Sequence, residues 1–302
     1  MAETVAMSHI EEGIEMHALS RQTICGFLVV ALFVALTGRL SLVAADVPAG
    51  DTGTAERQAL LKEMRSAAAA IKVTEKVGEQ LRPAKLVEEP IFRYSDEQRQ
   101  IRDATMWIWT ERGRPVSVMK LERYSFSDPK RQWLFNVGSA SPNLFKVQWP
   151  FDREFESKKP GLAFQPLNGG PELAETKGAR LIQLKQLSRR FAATMTGGAA
   201  DDAKTEMRLL PTPLFRYASP PAQIADGALF GLSATGTNPD AMVAIQRRGE
   251  KESARWEFGV TGLTNGGLQV RLDDKQVWSQ PYLVGRGQVF ETWTYFFSER
   301  SE

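Results

Sequence analysis

Along the chain the spacing of apolar residues switches between two periods, and each switch marks an element boundary. Over residues 57–73, Leu60, Leu61, Met64, Ala68 and Ile71 recur at three- and four-residue spacing, which predicts an amphipathic helix. Leu184, Leu187, Phe191 and Met195 do the same over residues 180–196 and predict a second. Downstream of each helix the period falls to two. Trp107 and Trp109 alternate with Met106 and Ile108, and Val116 and Val118 flank Ser117. Trp133, Phe135 and Val137 share one face, and Phe145, Val147 and Trp149 repeat the pattern. Turn residues at Gly113-Arg114-Pro115, Ser127-Asp128-Pro129 and Ser141-Pro142-Asn143 separate these runs, which predicts an antiparallel meander with one buried face. Strands are expected near 84–94, 104–111, 116–124, 131–139 and 143–149. A second set is expected near 207–217, 227–235, 241–248, 254–262 and 267–273, with 275–279 and 288–297 added to it.

The two sets are related by a constant shift. Pro90-Ile91-Phe92-Arg93-Tyr94 recurs 123 residues later as Pro213-Leu214-Phe215-Arg216-Tyr217. Gln100-Ile101-Arg102-Asp103 recurs as Gln223-Ile224-Ala225-Asp226, and Trp133-Leu134-Phe135 as Trp256-Glu257-Phe258. Without gaps, residues 90–149 match 213–272 at 13 of 60 positions, where roughly four would follow from composition alone. The expected fold class is therefore α+β, two tandem copies of a helix plus an antiparallel meander, with the option that both copies share one curved sheet. The copies are bounded at 46–156 and 180–302, and residues 157–179 hold Pro, Gly and Lys without periodicity and read as a connector.

The first 45 residues follow a different logic. Ile24–Thr37 is an uncharged apolar run, followed by Val43-Ala44-Ala45, which fits a signal-peptidase site ahead of Asp46. The alternative is an uncleaved N-terminal membrane anchor, which needs about 20 apolar residues and must tolerate Arg39. The part before Arg21 is long and acidic for a leader, and a start at Met16 gives a more ordinary one. Export to the periplasm or the exterior is expected, with membrane contact only through residues 24–45 if they are retained.

Composition then narrows the chemistry. The only cysteine, Cys25, and both histidines, His9 and His17, lie before residue 46. Zinc sites built from Cys or His, and nucleophiles activated by an imidazole, are excluded beyond that point. No Walker-type loop or dinucleotide fingerprint is present, so no cofactor and no metal is expected. Residues 46–302 carry 36 basic and 32 acidic side chains, which leaves no basic stripe for nucleic acid. A carboxylate pair, a Ser-Lys pair or a lysine nucleophile remains open, but no spacing nominates one.

The polar residues kept in both sets are Arg93, Tyr94 and Asp103, mirrored by Arg216, Tyr217 and Asp226. They can be read as a binding site used twice, or as an Arg–Asp clamp tying the corner between helix and sheet, with the tyrosine packed over it. The second reading is preferred, because each copy needs such a feature in order to fold. Trp133 and Trp256 occupy matching core positions, whereas Phe230 and Leu232 stand in the second copy where the first has Trp107 and Trp109.

A helix followed by P-[IL]-F-R-Y, then I-x-D-[AG], a W-x-F strand and the bridge Pro160-Gly161-Leu162-Ala163-Phe164-Gln165-Pro166 resembles a family of uncharacterised exported two-repeat proteins from planctomycete bacteria. The resemblance covers nearly all of residues 46–302 and implies an envelope location and a two-unit architecture, without an assigned activity. The longer tail, Gln280–Glu302, departs from that pattern. Function is accordingly expected to be non-catalytic, a binding or structural role toward an envelope component. The alternatives are a half-barrel carrier of an apolar ligand and a carboxylate-dependent hydrolase of envelope polysaccharide.

Overall fold

A computed structural model of the chain describes residues 50–197, 203–250, 253–283 and 290–299, with side chains from residue 54 onward. The apolar run, the cleavage site and the possible anchor lie outside the described residues. No helix among the described residues is long and apolar enough to cross a membrane. Pro48–Glu302 forms one compact unit.

Helix α1 spans Gly50–Ala70 and helix α2 spans Lys177–Ser188; strand far outweighs helix in what remains. The first half of the unit supplies β1 (Lys72–Val77), β2 (Gln80–Leu86), β3 (Phe92–Asp96), β4 (Ile101–Glu111), β5 (Arg114–Tyr124), β6 (Trp133–Ser139), β7 (Leu144–Gln148) and β8 (Glu154–Glu156). A two-residue strand, β9 (Gln165–Pro166), lies in the connector. The second half supplies β10 (Phe191–Thr196), β11 (Lys204–Leu209), β12 (Phe215–Ser219), β13 (Ile224–Ser233), β14 (Ala241–Arg248), β15 (Arg255–Gly262), β16 (Gly267–Leu272) and β17 (Lys275–Gln280), and the tail adds β18 (Trp293–Ser298).

The strands form two nine-stranded sheets, not one shared sheet. The first runs β18-β6-β5-β4-β2-β1-β7-β8 with β3 also on β4; the second runs β9-β15-β14-β13-β11-β10-β16-β17 with β12 also on β13. All their pairings are antiparallel. The two orders correspond strand for strand, and their outermost strands are exchanged. The connector strand β9 caps the second sheet by pairing with β15, while the tail strand β18 caps the first by pairing with β6. The tail, expected to extend the second set, therefore completes the first sheet.

Burial explains why two sheets form. The central strands are buried on both faces, not on one: in β4, Trp107 and Trp109 join the core beside α1, while Met106 and Ile108 face the other sheet. One core holds Met64, Ala67, Ala68 and Ile71 of the α1 end against the first sheet. A second holds Leu184 and Leu187 of α2 against Phe230, Val243 and Phe258. A third, between the sheets, packs Ile101, Met106, Ile108 and Val118 against Leu229, Met242 and Ala244. Stacking is what covers the second apolar face, at ~25 cal/mol for each Å2 removed from water. The first sheet also curls. Trp149, just past β7, meets Phe296 of β18 edge-on at 5.1 Å, although their strands lie near opposite ends of the sheet order.

Two expected elements are corrected. The helix predicted over 57–73 ends at Ala70, and Lys72 and Val73 already pair in β1. The helix predicted over 180–196 ends at Ser188, whose hydroxyl donates to the Lys185 carbonyl, and Phe191–Thr196 is strand β10. The apolar spacing at Phe191 and Met195 suits a helix, but Ala193 completes a period of two and Thr194 and Thr196 favour strand. Ala193 faces Met207 and Val270 as Val73 faces Ala84 and Val147. The connector is built in rather than loose. Leu162 and Leu167 are buried, and Gly161 and Leu162 donate to the Ser141 carbonyl at 3.1 and 3.0 Å.

The hairpin turns lock the sheets together. Gly113, between β4 and β5, has φ +88°, and a Cβ there would lie 2.4 Å from the Ala218 carbonyl oxygen. Neither demand suits any residue but glycine. Beside it, Ser219 Oγ donates to the Arg112 carbonyl at 2.7 Å. The matching turn, at Gly236, sits against Ser95 and Asp96, where Thr235 Oγ1 donates to Asp96 Oδ2 at 2.9 Å.

Candidate functional site

The six residues nominated by the sequence separate into two kinds. Arg93 Nε donates to Asp103 Oδ1 at 2.9 Å and its Nη2 to Asp103 Oδ2, while Nη2 also reaches the Arg57 carbonyl on α1 at 2.6 Å. Arg216 grips Asp226 in the same way and reaches the Lys177 carbonyl, at the start of α2, at 2.7 Å. The hydrogen bond to each carboxylate holds both arginines above their ordinary pKa. Each pair thus joins a strand edge to the backbone of a helix.

The tyrosines lie elsewhere, because successive residues of a strand point to opposite faces. Tyr94 and Tyr217 belong to the core between the sheets and do not cover the pairs. The Tyr94 hydroxyl donates to Glu122 Oε1, and the Tyr217 hydroxyl donates to Gln246 Oε1 at 2.9 Å. Burial, and then the neighbouring Glu122, pushes Tyr94 well above the usual tyrosine range; burial and Glu257 do the same for Tyr217.

Around Glu122 lies a constellation that spans both halves, in a crevice of about 700 Å3. Its floor is three adjacent strands, β5, β6 and β18. Register sets Lys120, Asn136 and Tyr295 in one row across them, and Glu122, Leu134 and Phe297 in the next. The opposite wall comes from Asn238, Asp240, Leu263 and Thr264. Tyr124, Tyr282 and Trp293 add three more rings to the lining, and Arg131 adds a further cation.

Three buried polar groups and the part-buried Arg99 organise this crevice. Arg99 holds Asp240 with two nitrogens, at 2.6 and 3.1 Å, and Asp240 Oδ2 also accepts from the Ala234 N–H at 3.0 Å. Burial opposes the Arg99 charge, but Asp240, with Asp96 and Glu122 behind it, outweighs burial and leaves the guanidinium above its ordinary pKa. Lys120 Nζ donates to Asn238 Oδ1 at 3.0 Å and to the Pro239 carbonyl at 3.2 Å, and lies 3.7 Å from Glu122. Glu122 accepts from Tyr94 on one oxygen and from Tyr124 on the other, the latter at 2.8 Å. Burial and the same Glu122 raise the Tyr124 pKa.

Asn136 is the exception. Its Nδ2 donates to the Leu263 carbonyl at 2.9 Å, which fixes the amide's orientation, yet its buried Oδ1 has no protein donor. Every carboxylate of the crevice is already engaged by protein donors, and among the described residues no group of three or more His, Cys, Asp or Glu side chains could hold a metal ion. What the crevice offers is one open acceptor, several rings, two cations matched by anions, and Arg131, whose guanidinium lies over the Phe126 and Phe297 rings.

Comparison with protein-family models, with curated proteins and with solved structures returns no match for this chain.

The sequence reading passed over Arg99, Lys120, Glu122, Asn136 and Asp240. One signal was there to be used: Lys120 and Glu122 stand two apart in a strand whose neighbours Met119 and Leu121 are buried, and charges on such a strand face water only if its second face is open.

Proposed function

We propose that this chain is a non-catalytic binding protein of the cell envelope, and that the crevice under β18 takes an uncharged polyhydroxylated ligand, such as a glycan segment. The observation that carries this reading is the unpartnered Asn136 Oδ1, buried in the floor between Lys120 and Tyr295. A buried acceptor without a donor costs about 1–3 kcal/mol, and a ligand hydroxyl supplies that donor. The half-buried rings of Tyr295 and Phe297 lie on the neighbouring strand β18, Phe297 with the Arg131 guanidinium over its ring, and offer apolar surface to a sugar ring. Arg99 and Lys120 are answered by Asp240 and Glu122, and Arg131 lies over the Phe126 and Phe297 rings, which favours a neutral ligand over a cation.

The envelope location rests on the apolar run and Val43-Ala44-Ala45, and it agrees with the resemblance to exported planctomycete proteins. The corresponding strand orders support the origin of both halves in one helix-plus-meander unit. The apolar-carrier reading has less support, because helix side chains and aromatic rings fill the core that each helix makes with its sheet. The hydrolase reading needs a carboxylate free to act, and Glu122 and Asp240 are both held by protein donors.

A glycan-array screen followed by calorimetry with the tightest binder tests the proposal. Binding is expected, and Asn136→Ala should weaken it by about tenfold, the worth of one well-placed hydrogen bond. Phe297→Ala, at a half-buried ring, should weaken it as well. Failure to bind any glycan, or binding undiminished in both variants while circular dichroism reports them folded, would sink the reading. Release of shortened products would make the protein an enzyme.

A further inference from the structure

A second crevice, of about 370 Å3, opens where the β4–β5 hairpin of the first half meets the second half, and its charge is not balanced. Arg82, Arg112, Arg114 and Arg248 line it, with Glu111 as the one carboxylate among the lining residues. Three of these arginines converge on that carboxylate: Arg82 at 3.6 Å, Arg112 at 3.3 Å and Arg114 at 3.4 Å. One carboxylate cannot neutralise three guanidinium groups.

Arg114 has its own answer, since both of its terminal nitrogens hold Glu75 behind the crevice wall. The other three do not. Elsewhere in the protein Arg93, Arg99, Arg190 and Arg216 each hold a carboxylate with two nitrogens. Arg82 and Arg112 make only single ion contacts to the shared Glu111, and Arg248 approaches Glu257 no closer than 3.9 Å. Apart from one bond from Arg82 Nη2 to Gln80 Oε1 at 3.3 Å, their forked N–H donors are thus largely unspent, on side chains that remain open to solvent.

The position of Arg112 is also fixed by the fold. It occupies the β4–β5 turn with φ +47°, followed by Gly113 at +88°, and its carbonyl is held by Ser219. Guanidinium groups set around one concave surface, with donors to spare, suit an oxyanion with several acceptor oxygens. We propose that this crevice binds a sulfate or phosphate group, free or as a monoester, through Arg82, Arg112 and Arg248. It is separate from the aromatic crevice and does not depend on the reading given there.

Calorimetry on the full chain tests this, with sodium sulfate, sodium phosphate and phenyl phosphate titrated at constant ionic strength against sodium acetate as control. Sulfate and phosphate are expected to bind in the millimolar range or tighter, with acetate weaker. Tighter binding of phenyl phosphate than of inorganic phosphate would show that an ester is preferred, and the reverse would show a site for the free ion. Arg112→Gln and Arg248→Gln change side chains more than half exposed, so both variants should fold. Each should weaken sulfate binding by about tenfold, the loss of one charge-assisted hydrogen bond. Arg82→Gln provides a third variant should either of the others unfold. The proposal is overturned if no oxyanion binds at millimolar concentration, or if folded variants bind sulfate as the unmodified chain does.

Discussion

Arg99 and Asp240 are 141 residues apart in sequence and joined by two hydrogen bonds, at 2.6 and 3.1 Å, in the wall of the aromatic crevice. Asp240 is fully buried and Arg99 about three-quarters so. The pair fastens the corner after β3 to the start of β14, so one contact both ties the halves together and shapes the candidate site. Removing one partner of a buried pair costs about 3–5 kcal/mol, because the other charge stays behind. Arg99→Ala should lower stability toward the low end of that range, as Arg99 keeps some access to water. Urea unfolding measures it, and a change below about 1 kcal/mol would mean the pair behaves as an exposed one.

The clamps at Arg93–Asp103 and Arg216–Asp226 should act independently of the crevice. Their arginines are about a quarter exposed and their aspartates nearly buried. Arg93→Ala and Arg216→Ala should each cost more than the ~1 kcal/mol of a surface pair and less than the ~3–5 kcal/mol of a buried one. Each should be strongly non-additive with Asp103→Asn or Asp226→Asn in a double-mutant cycle. Ligand binding unaffected in folded variants would agree with a purely structural role; lost binding with unchanged stability would restore the binding-site reading.

Stability should fall at alkaline pH for a stated reason. Tyr94, Tyr124 and Tyr217, three of the five tyrosines, have folded-state pKa values raised by burial, whereas tyrosines in an unfolded chain ionise near pH 10. A group raised in the folded state contributes stability that is complete below its unfolded pKa and is lost as pH climbs through the folded value. Denaturant midpoints should therefore hold up to about pH 10 and decline above it. Absorbance at the tyrosinate band should show these three hydroxyls ionising only with unfolding. Full ionisation in a folded protein would contradict the buried assignments.

The tail strand should be indispensable. Phe296 stacks on Phe135 at 5.1 Å, meets Trp149 edge-on at 5.1 Å and lies under the Arg153 guanidinium at 4.2 Å. Phe296→Ala should cost about 3–5 kcal/mol, as large-to-small changes in packed cores do. Truncation before Trp293 should go further, leaving β6 as an open edge and exposing the rings beneath, with aggregation as the expected outcome. A monomeric truncated protein of unchanged stability would show that β18 merely decorates the sheet.

How much of this was legible in the sequence depends on range. Ten residues separate Arg93 from Asp103, within one β3–β4 connection, so local spacing brings them together. The exchanged strands were not legible. Nothing local in Trp293–Ser298 says that it pairs with Trp133–Gly138, across most of the chain, rather than with its sequence neighbour β17. The helix that turned into β10 failed for another reason: Phe191 and Met195 fit both periods, and only the pairing with β11 and β16 decides between them. Lys120 and Glu122 escape notice in the sequence because a meander with one buried face leaves the other side of each strand to water. Stacking of the two sheets turned that face inward, and with it came the crevice, its paired charges and the open oxygen of Asn136.

A crystal structure of the chain with the tightest-binding oligosaccharide from the array decides whether the aromatic crevice holds a neutral glycan. A sugar ring is expected against Tyr295 and Phe297, with a hydroxyl donating to Asn136 Oδ1 and the Arg99–Asp240 pair undisturbed. An oligosaccharide seated among the arginines of the other crevice, or on an outer face of either sheet with Asn136 Oδ1 still unpartnered, would contradict it.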